Sequence, residues 1–219
     1  MTTEQASSNG VYNPHRFQRP IHDSRAKNKI VEAARRGGKS RSALFELVDI
    51  WQLATQTPAS SALQPPFHAW IVAPSFPQSS QVWTELNAFI PQDWVADTRV
   101  HDKQIVLKGD AEGNRLWGLI EVKSAHDPEN LQTAGLDFLW VTEAQDISEA
   151  AYLKLRPVLR SPERMGMAIW EGIPALYKDH WFWRLAEFAE GNDNENYDYF
   201  HWTAYDNPLL SEEQLGEIE

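Results

Sequence analysis

Cysteine is absent from this chain of 219 residues, which excludes disulfide bonds and thiolate metal sites. Long apolar runs are also absent: the longest, such as residues 69–73, are far shorter than the roughly 20 residues that span a bilayer. Residues 1–10 are small and polar, and they lack the basic-then-apolar order of a secretory signal. We therefore expect an intracellular protein without a membrane partner, with a flexible N-terminus over residues 1–10.

Basic charge and repeated sequence are scarce as well. Lys and Arg number 20 against 31 Asp and Glu, and the net charge of −11 excludes a surface that is basic all over, although it permits a local basic patch. No internal repeat or low-complexity linker divides the chain, so residues 11–219 are expected to form one domain. The ten tryptophans are interpreted as core-filling residues rather than as a platform for stacking bases.

Short apolar runs alternate with helix-type patterns along most of the chain. The runs predict strands over residues 30–34, 67–73, 136–142, 167–170 and 197–204. Apolar residues at helical spacing predict helices over residues 40–54, 81–89, 148–159 (capped by Ser148) and 181–190. Residues 104–108 and 115–123 predict a hairpin. This order predicts an α/β fold with a mainly parallel central sheet flanked by helices and a local antiparallel hairpin.

A glycine turn joins the first predicted strand to the first predicted helix, with the sequence Ala-Arg-Arg-Gly-Gly-Lys-Ser over residues 34–40. A polyphosphate needs several inward-pointing backbone N–H groups, and Gly37 and Gly38 allow a loop to wrap that tightly. The following helix adds the partial positive charge of its N-terminus. Lys39 is expected to reach the β- and γ-phosphate oxygens of ATP, and the Ser40 hydroxyl to ligate Mg²⁺.

This turn misses the general phosphate-loop pattern G-x-x-x-x-G-K-[ST] by one residue, because Ala33 stands at its first position. A Gly-Gly turn beside a Lys-Ser pair can also arise by chance on a surface. The strand before the turn and the amphipathic helix after it favour the phosphate-binding interpretation.

A carboxylate follows the apolar run at residues 138–142. A phosphate-loop hydrolase needs a base that orients water and a group that holds the Mg²⁺ shell, and both usually lie at the end of a strand neighbouring the loop strand. Glu143 is the predicted base, and the alternative is an ordinary solvated glutamate at a strand end. Thr142 precedes it where an acid is more common. Its hydroxyl can bind a Mg²⁺-bound water without contributing charge, so we expect weaker metal binding.

Six fragments in order carry a resemblance to a known family. They are Phe17 with Gln18, the loop at residues 34–40, residues 70–75 with Gln78, residues 127–131 and 135–138 leading to Glu143, residues 172–174 followed by Trp181 and Phe182, and residues 206–208. In this order and over nearly the whole chain, they resemble the ATPase domain of the large terminase subunit of tailed bacteriophages, the DNA-packaging motor. The most specific stretch is the one that ends at Glu143.

The resemblance implies a RecA/ASCE-like P-loop NTPase fold that uses ATP and Mg²⁺. It implies ATP binding by Gln18, Arg35, Arg36, Gly37, Gly38, Lys39 and Ser40. Arg35 would sense or stabilise the γ-phosphate, and it would act in catalysis with Lys39 and Glu143. The segment that links hydrolysis to movement would be Gly172, Ile173 and Pro174.

The resemblance also implies partners. They are double-stranded DNA, a portal protein and a small terminase subunit, with a homo-oligomeric ring on the portal and a monomer in isolation, in the host cell cytoplasm. Because a packaging motor must tolerate any sequence, we expect phosphate contacts from loop cations. The candidates are Arg99, Lys103, Lys108 and Arg115. Large terminases usually continue into a nuclease domain, and no nuclease activity is expected from these 219 residues.

Two further positions depart from the family's pattern. Ile173 stands where the coupling segment has Thr or Ser, so a hydroxyl relay there lacks its donor. Gln132 lies where related motors carry an arginine offered to a neighbouring subunit's ATP. Three alternatives remain open: Arg35 takes this role within the subunit, the isolated chain is slow, or the role falls to another arginine among Arg156, Arg160 and Arg164.

Two other functions are alternatives to the motor. One is a helicase-like nucleic-acid-dependent ATPase built on the same core, although helicases bring a second core domain that 219 residues hardly accommodate. The other is a nucleotide-binding regulator whose departures from the family pattern have removed turnover.

Overall fold

The computed structural model describes residues 12–56, 66–109, 118–131, 135–191, 193–208 and 210–216. The predicted flexible N-terminus, Gln132 and Arg115 lie outside these residues. The helices are α1 (Arg19–Asp23), α2 (Lys39–Gln56), α3 (Phe76–Phe89), α4 (Glu149–Val158), α5 (Trp181–Glu190) and α6 (Glu212–Gly216). The strands are β1 (Asn28–Ala33), β2 (Phe67–Ala73), β3 (Val95–Arg99), β4 (Gln104–Leu107), β5 (Gly118–Ser124), β6 (Phe138–Val141), β7 (Met167–Gly172) and β8 (Tyr197–Trp202).

The strands form one sheet in the order β3-β4-β5-β2-β6-β7-β1-β8. All neighbours from β5 to β8 are parallel, and β3 and β4 are added antiparallel at one edge. The mainly parallel sheet and the β4–β5 hairpin are therefore confirmed. Strand β3 was not predicted, because its sequence VADTR is mostly exposed and has no apolar alternation.

The central strands are buried on both faces, and alternate residues serve opposite sides of the sheet. In β6, Phe138 and Trp140 join the core cluster beneath α2 and α3, whereas Leu139 and Val141 join the cluster beneath α4 and α5. Trp140, Trp170 and Trp202 are among the largest fully buried side chains. At these three positions the tryptophans fill the core, as interpreted from the sequence.

Two helix N-termini show how local sequence sets the boundaries. The Ser148 side chain accepts a hydrogen bond from the Ala151 amide at 3.3 Å, which confirms the predicted cap of α4. Helix α3 begins at Phe76, five residues before the prediction, because Ser75 caps it and Pro77 lies in its first turn. Its first turn lacks the apolar spacing of a predicted helix.

In the described part of the chain, none of the helices is long and apolar enough to cross a bilayer.

The carboxyl ends of β1, β6 and β7 meet at one edge of the sheet, the usual ligand-binding edge of parallel sheets. The expectation that the carboxylate strand neighbours the loop strand is wrong, because β7 lies between β1 and β6. Strand order depends on long-range pairing, which local sequence does not encode. As a result, the last residues of β7 lie between the phosphate loop and Glu143.

Candidate functional site

The loop that joins β1 to α2 has a backbone that depends on its glycines. Arg36 and Gly38 adopt positive φ angles of 59° and 83°, a region that favours glycine. A Cβ atom added to Gly38 would lie 2.5 Å from Gln18 Nε2, and one added to Gly37 would lie 2.7 Å from Trp202 Nε1. The side chains of Gln18 and Trp202 therefore approach the loop so closely that only glycine fits at positions 37 and 38. At Gly38 the positive φ angle also favours glycine.

Side chains distant in sequence hold this loop through its carbonyl oxygens. The hydrogen bonds run from Gln18 Nε2 to the Gly38 oxygen at 3.0 Å, from Trp202 Nε1 to the Gly37 oxygen at 2.9 Å, and from Asn207 Nδ2 to the Arg36 oxygen at 2.7 Å. The N–H groups in the first turn of a helix have no partner within that helix. The loop carbonyl oxygens are fixed by these hydrogen bonds, and the loop leads into the first turn of α2. The N–H groups of that turn can therefore bind an anion.

Lys39 opens α2 and is buried, with 7% of its surface exposed. Its ammonium donates hydrogen bonds to the carbonyl oxygens of Ala33 at 3.0 Å and Ala34 at 3.2 Å. These neutral acceptors satisfy hydrogen bonds of the ammonium, and its charge also acts on the buried carboxyl group of Glu171. A phosphate oxygen at the loop would supply a further opposite charge.

Behind the loop, the buried carboxyl group of Glu171 lies beside the predicted Mg²⁺ ligand Ser40. Ser40 Oγ donates to Glu171 Oε1 at 3.1 Å, and Trp140 Nε1 donates to the same oxygen at 2.9 Å. The second oxygen of Glu171 is buried with no partner among the described residues. Burial raises the pKa of Glu171 to about 7, against the opposing effects of the Lys39 charge and these hydrogen bonds.

Glu143 lies at the end of β6 in a left-handed conformation, with φ 48° and ψ 51°. This conformation is uncommon for a residue other than glycine, and such strain clusters at functional sites. Its side chain accepts a hydrogen bond from Gln145 Nε2 at 2.8 Å. Glu143 and Thr142 line a cleft of about 610 Å³ whose other walls are residues 35–41 and α3.

Gln145 connects Glu143 to the predicted coupling segment. While its amide nitrogen donates to Glu143, its oxygen accepts a hydrogen bond from the Ile173 backbone N–H at 3.1 Å. A Cβ atom on Gly172 would collide with that same oxygen and approach the Ala144 nitrogen to 3.2 Å. Ile173 therefore contacts Gln145 through its backbone N–H, and this hydrogen bond does not involve the Ile173 side chain.

The structure brings most of the predicted site residues into one cleft. Those that line it are Arg35, Arg36, Gly37, Gly38, Lys39, Ser40, Thr142 and Glu143. Gln18 lies behind the loop, where its side-chain oxygen also accepts from the His15 amide at 3.1 Å, and its contact with ATP stays a prediction. Pro174 is exposed at the end of the coupling segment.

Sequence reasoning missed Glu171 and Gln145. Glu171 carried the same signal that identified Glu143, an acid at the end of an apolar strand, but β7 was predicted to end at residue 170. Gln145 had no signal of its own, because its role depends on the proximity of β7.

The three candidate arginine fingers lie far from the loop of their own subunit. Arg156 and Arg160 line a cavity with Lys27 at the edge where β1 begins. Arg164 forms a 2.6 Å ion pair with Asp137, and both side chains are largely buried. Within one subunit, these arginines therefore lie at the opposite edge of the sheet from residues 35–41.

Three of the candidate DNA-binding cations, Arg99, Lys103 and Lys108, are described by the structure; they lie around β3 and β4, and each has a local contact. Arg99 pairs with Asp97 at 3.2 Å, and Lys108 donates to the Asp93 carbonyl oxygen at 3.0 Å. Lys103 donates to two serine hydroxyls of α3, at 2.7 and 2.9 Å.

Strand β1, the glycine loop and helix α2, which begins with Lys-Ser, follow one another in the chain. One further strand, β7, lies between β1 and the strand that leads to Glu143. This arrangement defines a P-loop NTPase fold of the ASCE type. A family model described as phage terminase large subunit matches residues 92–219, more than half of the sequence. The chain belongs to this family.

Curated relatives agree with this assignment. The large terminase subunits of Thermus phage G20c and Thermus virus P23-45 are each 30% identical to the chain over an alignment of 146 residues, and the match covers 61% of this chain and 28% of each relative. The chain thus spans less than a third of the length of these relatives.

Three solved structures share the fold. The large terminase ATPase domain of Thermus phage P74-26 has a TM-score of 0.67 at 21% identity, covering 88% of this chain and 82% of that one. The HK97 bacteriophage large terminase has a TM-score of 0.71 at 13% identity, covering 98% and 49%. The large terminase of a thermophilic bacteriophage, solved in complex with ADP, has a TM-score of 0.64 at 15% identity, covering 91% and 45%.

Proposed function

We propose that this chain is the Mg²⁺-dependent ATPase domain of a viral DNA-packaging motor. The observation that carries the proposal is the shared cleft, in which the phosphate loop at residues 35–41 faces Glu143 across a space of about 610 Å³. The ADP bound to the large terminase of the thermophilic bacteriophage, which shares the fold, supports a nucleotide in this cleft.

The loop binds the triphosphate through three kinds of positive charge. The N-terminus of α2 contributes its partial charge, Lys39 contributes its buried ammonium, and the exposed Arg35 and Arg36 lie at the mouth of the cleft. Lys39 exchanges its neutral carbonyl acceptors for phosphate oxygens. Arg35 lies beside the phosphates and stabilises charge on the γ-phosphate.

The donor set behind the loop fits Mg²⁺. Ser40 and Thr142 offer hydroxyl oxygens, and Ser40 contacts the carboxyl group of Glu171, whose second oxygen has no partner among the described residues. Mg²⁺ prefers such oxygen ligands and usually keeps several waters. Ser40 would hold the ion directly and Thr142 through a water. When bound, the ion would neutralise charge that develops on the phosphates.

Glu143 orients the attacking water and accepts its proton. Its carboxylate is held by Gln145 Nε2, and its strained backbone fixes the direction from which it faces the cleft. A positioned general base contributes about 10²- to 10⁴-fold in rate.

Coupling runs from Glu143 through Gln145 to the segment Gly172–Pro174. Gln145 bonds both ends of this path, so a shift of Glu143 when phosphate leaves changes the hydrogen bond at Ile173. Because the bond uses the Ile173 backbone, the path needs no hydroxyl at that position.

In the assembled motor, this movement translocates double-stranded DNA into a procapsid in the host cytoplasm. The subunits form a ring on the portal protein with the small terminase subunit as a further partner. Arg99, Lys103 and Lys108 contact DNA phosphates without reading sequence. If Arg156, Arg160 or Arg164 serves as an arginine finger, it acts on the ATP of a neighbouring subunit, because all three lie at the far edge of their own sheet.

Phosphate release and nucleotide affinity test the ATPase proposal. We expect Lys39→Ala to lose both ATP binding and turnover. Glu143→Gln should keep ATP binding and lose about 10²- to 10⁴-fold in turnover, because only the base is removed. Glu149→Gln, a half-exposed glutamate on α4 that pairs with Arg184, is the matched control and should leave both unchanged.

Two outcomes would contradict the proposal. A wild-type chain that binds ATP but releases no phosphate, alone or with DNA and portal, would be a nucleotide-binding regulator. Turnover that survives Glu143→Gln would remove Glu143 from catalysis.

A further inference from the structure

The position before Glu143 lacks the acid that this site needs near its metal. Thr142 occupies it and brings a hydroxyl without charge. In the sheet, Val141 of β6 pairs with Trp170 of β7, so the residue that follows each of them, Thr142 and Glu171, lies at the same level. An acid is therefore present beside Thr142, on the neighbouring strand.

The distance between Ser40 and Glu171 matches that between two ligands of one ion. Adjacent oxygen ligands of an octahedral Mg²⁺ at about 2.1 Å lie about 3 Å apart. Ser40 Oγ and Glu171 Oε1 are 3.1 Å apart.

The remaining oxygen of this carboxyl group has no protein partner in the described part of the chain. Glu171 is 1% exposed, and its Oε2 makes no hydrogen bond among the described residues. A buried carboxyl oxygen without a hydrogen-bond partner destabilises a folded protein. A cation at this point would remove that destabilisation, and the ammonium of Lys39 already acts on this carboxyl group from the loop side.

We propose that Glu171 supplies the acidic group of the Mg²⁺ site, in place of the acid that Thr142 does not provide. This inference rests on the proposed ATPase function. The acid lies on β7 instead of β6, and it reaches the metal site because β7 lies between β6 and β1. The same residue precedes Gly172 and Ile173, so the metal site and the coupling segment share one strand end.

A purely structural role makes a different prediction. If Glu171 only accepts hydrogen bonds from Trp140 and Ser40, a glutamine can replace it, because its amide oxygen accepts both. If Glu171 contributes charge to a cation, glutamine cannot. Glu171→Gln therefore separates the two roles.

The chain offers a matched control on the neighbouring strand. Glu32 of β1 is also a buried glutamate with one oxygen that has no partner among the described residues, and its other oxygen accepts from the Tyr199 hydroxyl at 2.9 Å. Residue 32 pairs with Gly172, so Glu32 lies one step from the level of Glu171. Glu32→Gln changes the same chemistry beside Tyr199 instead of beside Ser40.

The test measures Mn²⁺ binding to the ADP complex of the full chain. The electron paramagnetic resonance signal of free Mn²⁺ reports how much of the ion is unbound. We expect Glu171→Gln to weaken Mn²⁺ binding at least tenfold and Glu32→Gln to leave it within twofold. Thr142→Asp combined with Glu171→Gln should restore most of the lost affinity, because the acid returns on β6. ADP affinity in EDTA should be equal in all these variants, and thermal melting confirms that each is folded.

Each result decides between the two roles. Unchanged Mn²⁺ affinity in folded Glu171→Gln, or equal losses in Glu171→Gln and Glu32→Gln, would overturn the inference. Wild-type chain that fails to bind ADP in EDTA would instead contradict the proposed ATPase function, so the two failures are distinguishable.

Discussion

Two buried glutamates of the same sheet have opposite surroundings. Glu121 of β5 forms a hub, here called the Glu121 hub, in which it accepts hydrogen bonds from His68, Trp70, Gln104 and Lys123 at 2.7–2.8 Å. Glu171 of β7 accepts from uncharged donors, and one of its oxygens has no partner among the described residues. Burial raises the pKa of both, but at Glu121 the hydrogen bonds and the Lys123 charge outweigh burial and hold the pKa far below its usual range.

This difference separates a structural carboxylate from one that awaits a ligand. In the Glu121 hub the protein supplies partners to both oxygens, so the charge is balanced when the chain folds. At Glu171 the protein supplies only part of the set, and the missing part is a cation. A buried carboxyl oxygen that stays unsatisfied beside the predicted Mg²⁺ ligand Ser40 points to a ligand more directly than a satisfied carboxyl group does.

The largest expected effect is a difference in the free energy of unfolding between variants of the two glutamates. Glu121→Leu should lower the free energy of unfolding by about 3 kcal/mol, because removing one partner leaves buried donors uncompensated. Glu171→Gln should change it by less than about 1 kcal/mol, because the amide oxygen keeps the existing acceptor. Urea denaturation followed by tryptophan fluorescence measures both. Equal losses would show that the two carboxyl groups do the same structural work.

A pair of glycines sharpens the same contrast. Gly172→Ala places a methyl group against Gln145 and should lower ATP turnover at least tenfold while costing about 1–3 kcal/mol of stability. Gly118→Ala on β5 meets Trp51, Phe67 and Leu107 at 3.2–3.4 Å and is the control. It should cost stability alone. Turnover that falls equally in both variants would indicate a general effect of overpacking rather than a role for the coupling segment.

The smallest expected effect is the pH dependence of the Glu121 hub. Its folded pKa lies below the ordinary glutamate value, so the unfolded chain takes up a proton first as the pH falls. The stability that Glu121 provides is present above about pH 5 and is lost in more acidic solution. The difference in unfolding free energy between wild type and Glu121→Gln should therefore be constant near neutrality and shrink from about pH 5 downward. A difference that stays constant to about pH 3 would contradict this assignment.

Parts of the site that depend on contiguous residues could be predicted from the sequence, whereas parts that depend on pairing between distant segments could not. The segment β1-loop-α2 was predicted because a strand, two glycines, Lys39 and an amphipathic helix are contiguous. Glu143 was predicted because it ends an apolar strand. The insertion of β7 between β1 and β6 could not be read from the chain, because strand order is set by pairings between distant segments. Gln145 was missed for this reason, Glu171 because β7 was predicted to end at residue 170, and β3 because an exposed edge strand has no apolar pattern.

A crystal structure of the chain with Mg²⁺ and a non-hydrolysable ATP analogue would show the proposed site in its occupied form. We expect the triphosphate to lie against residues 35–40, with Lys39 on its terminal oxygens, Glu143 facing the γ-phosphate, and the ion between Ser40 and Glu171. An analogue bound outside this cleft, or a Glu143 side chain directed away from the γ-phosphate, would contradict it.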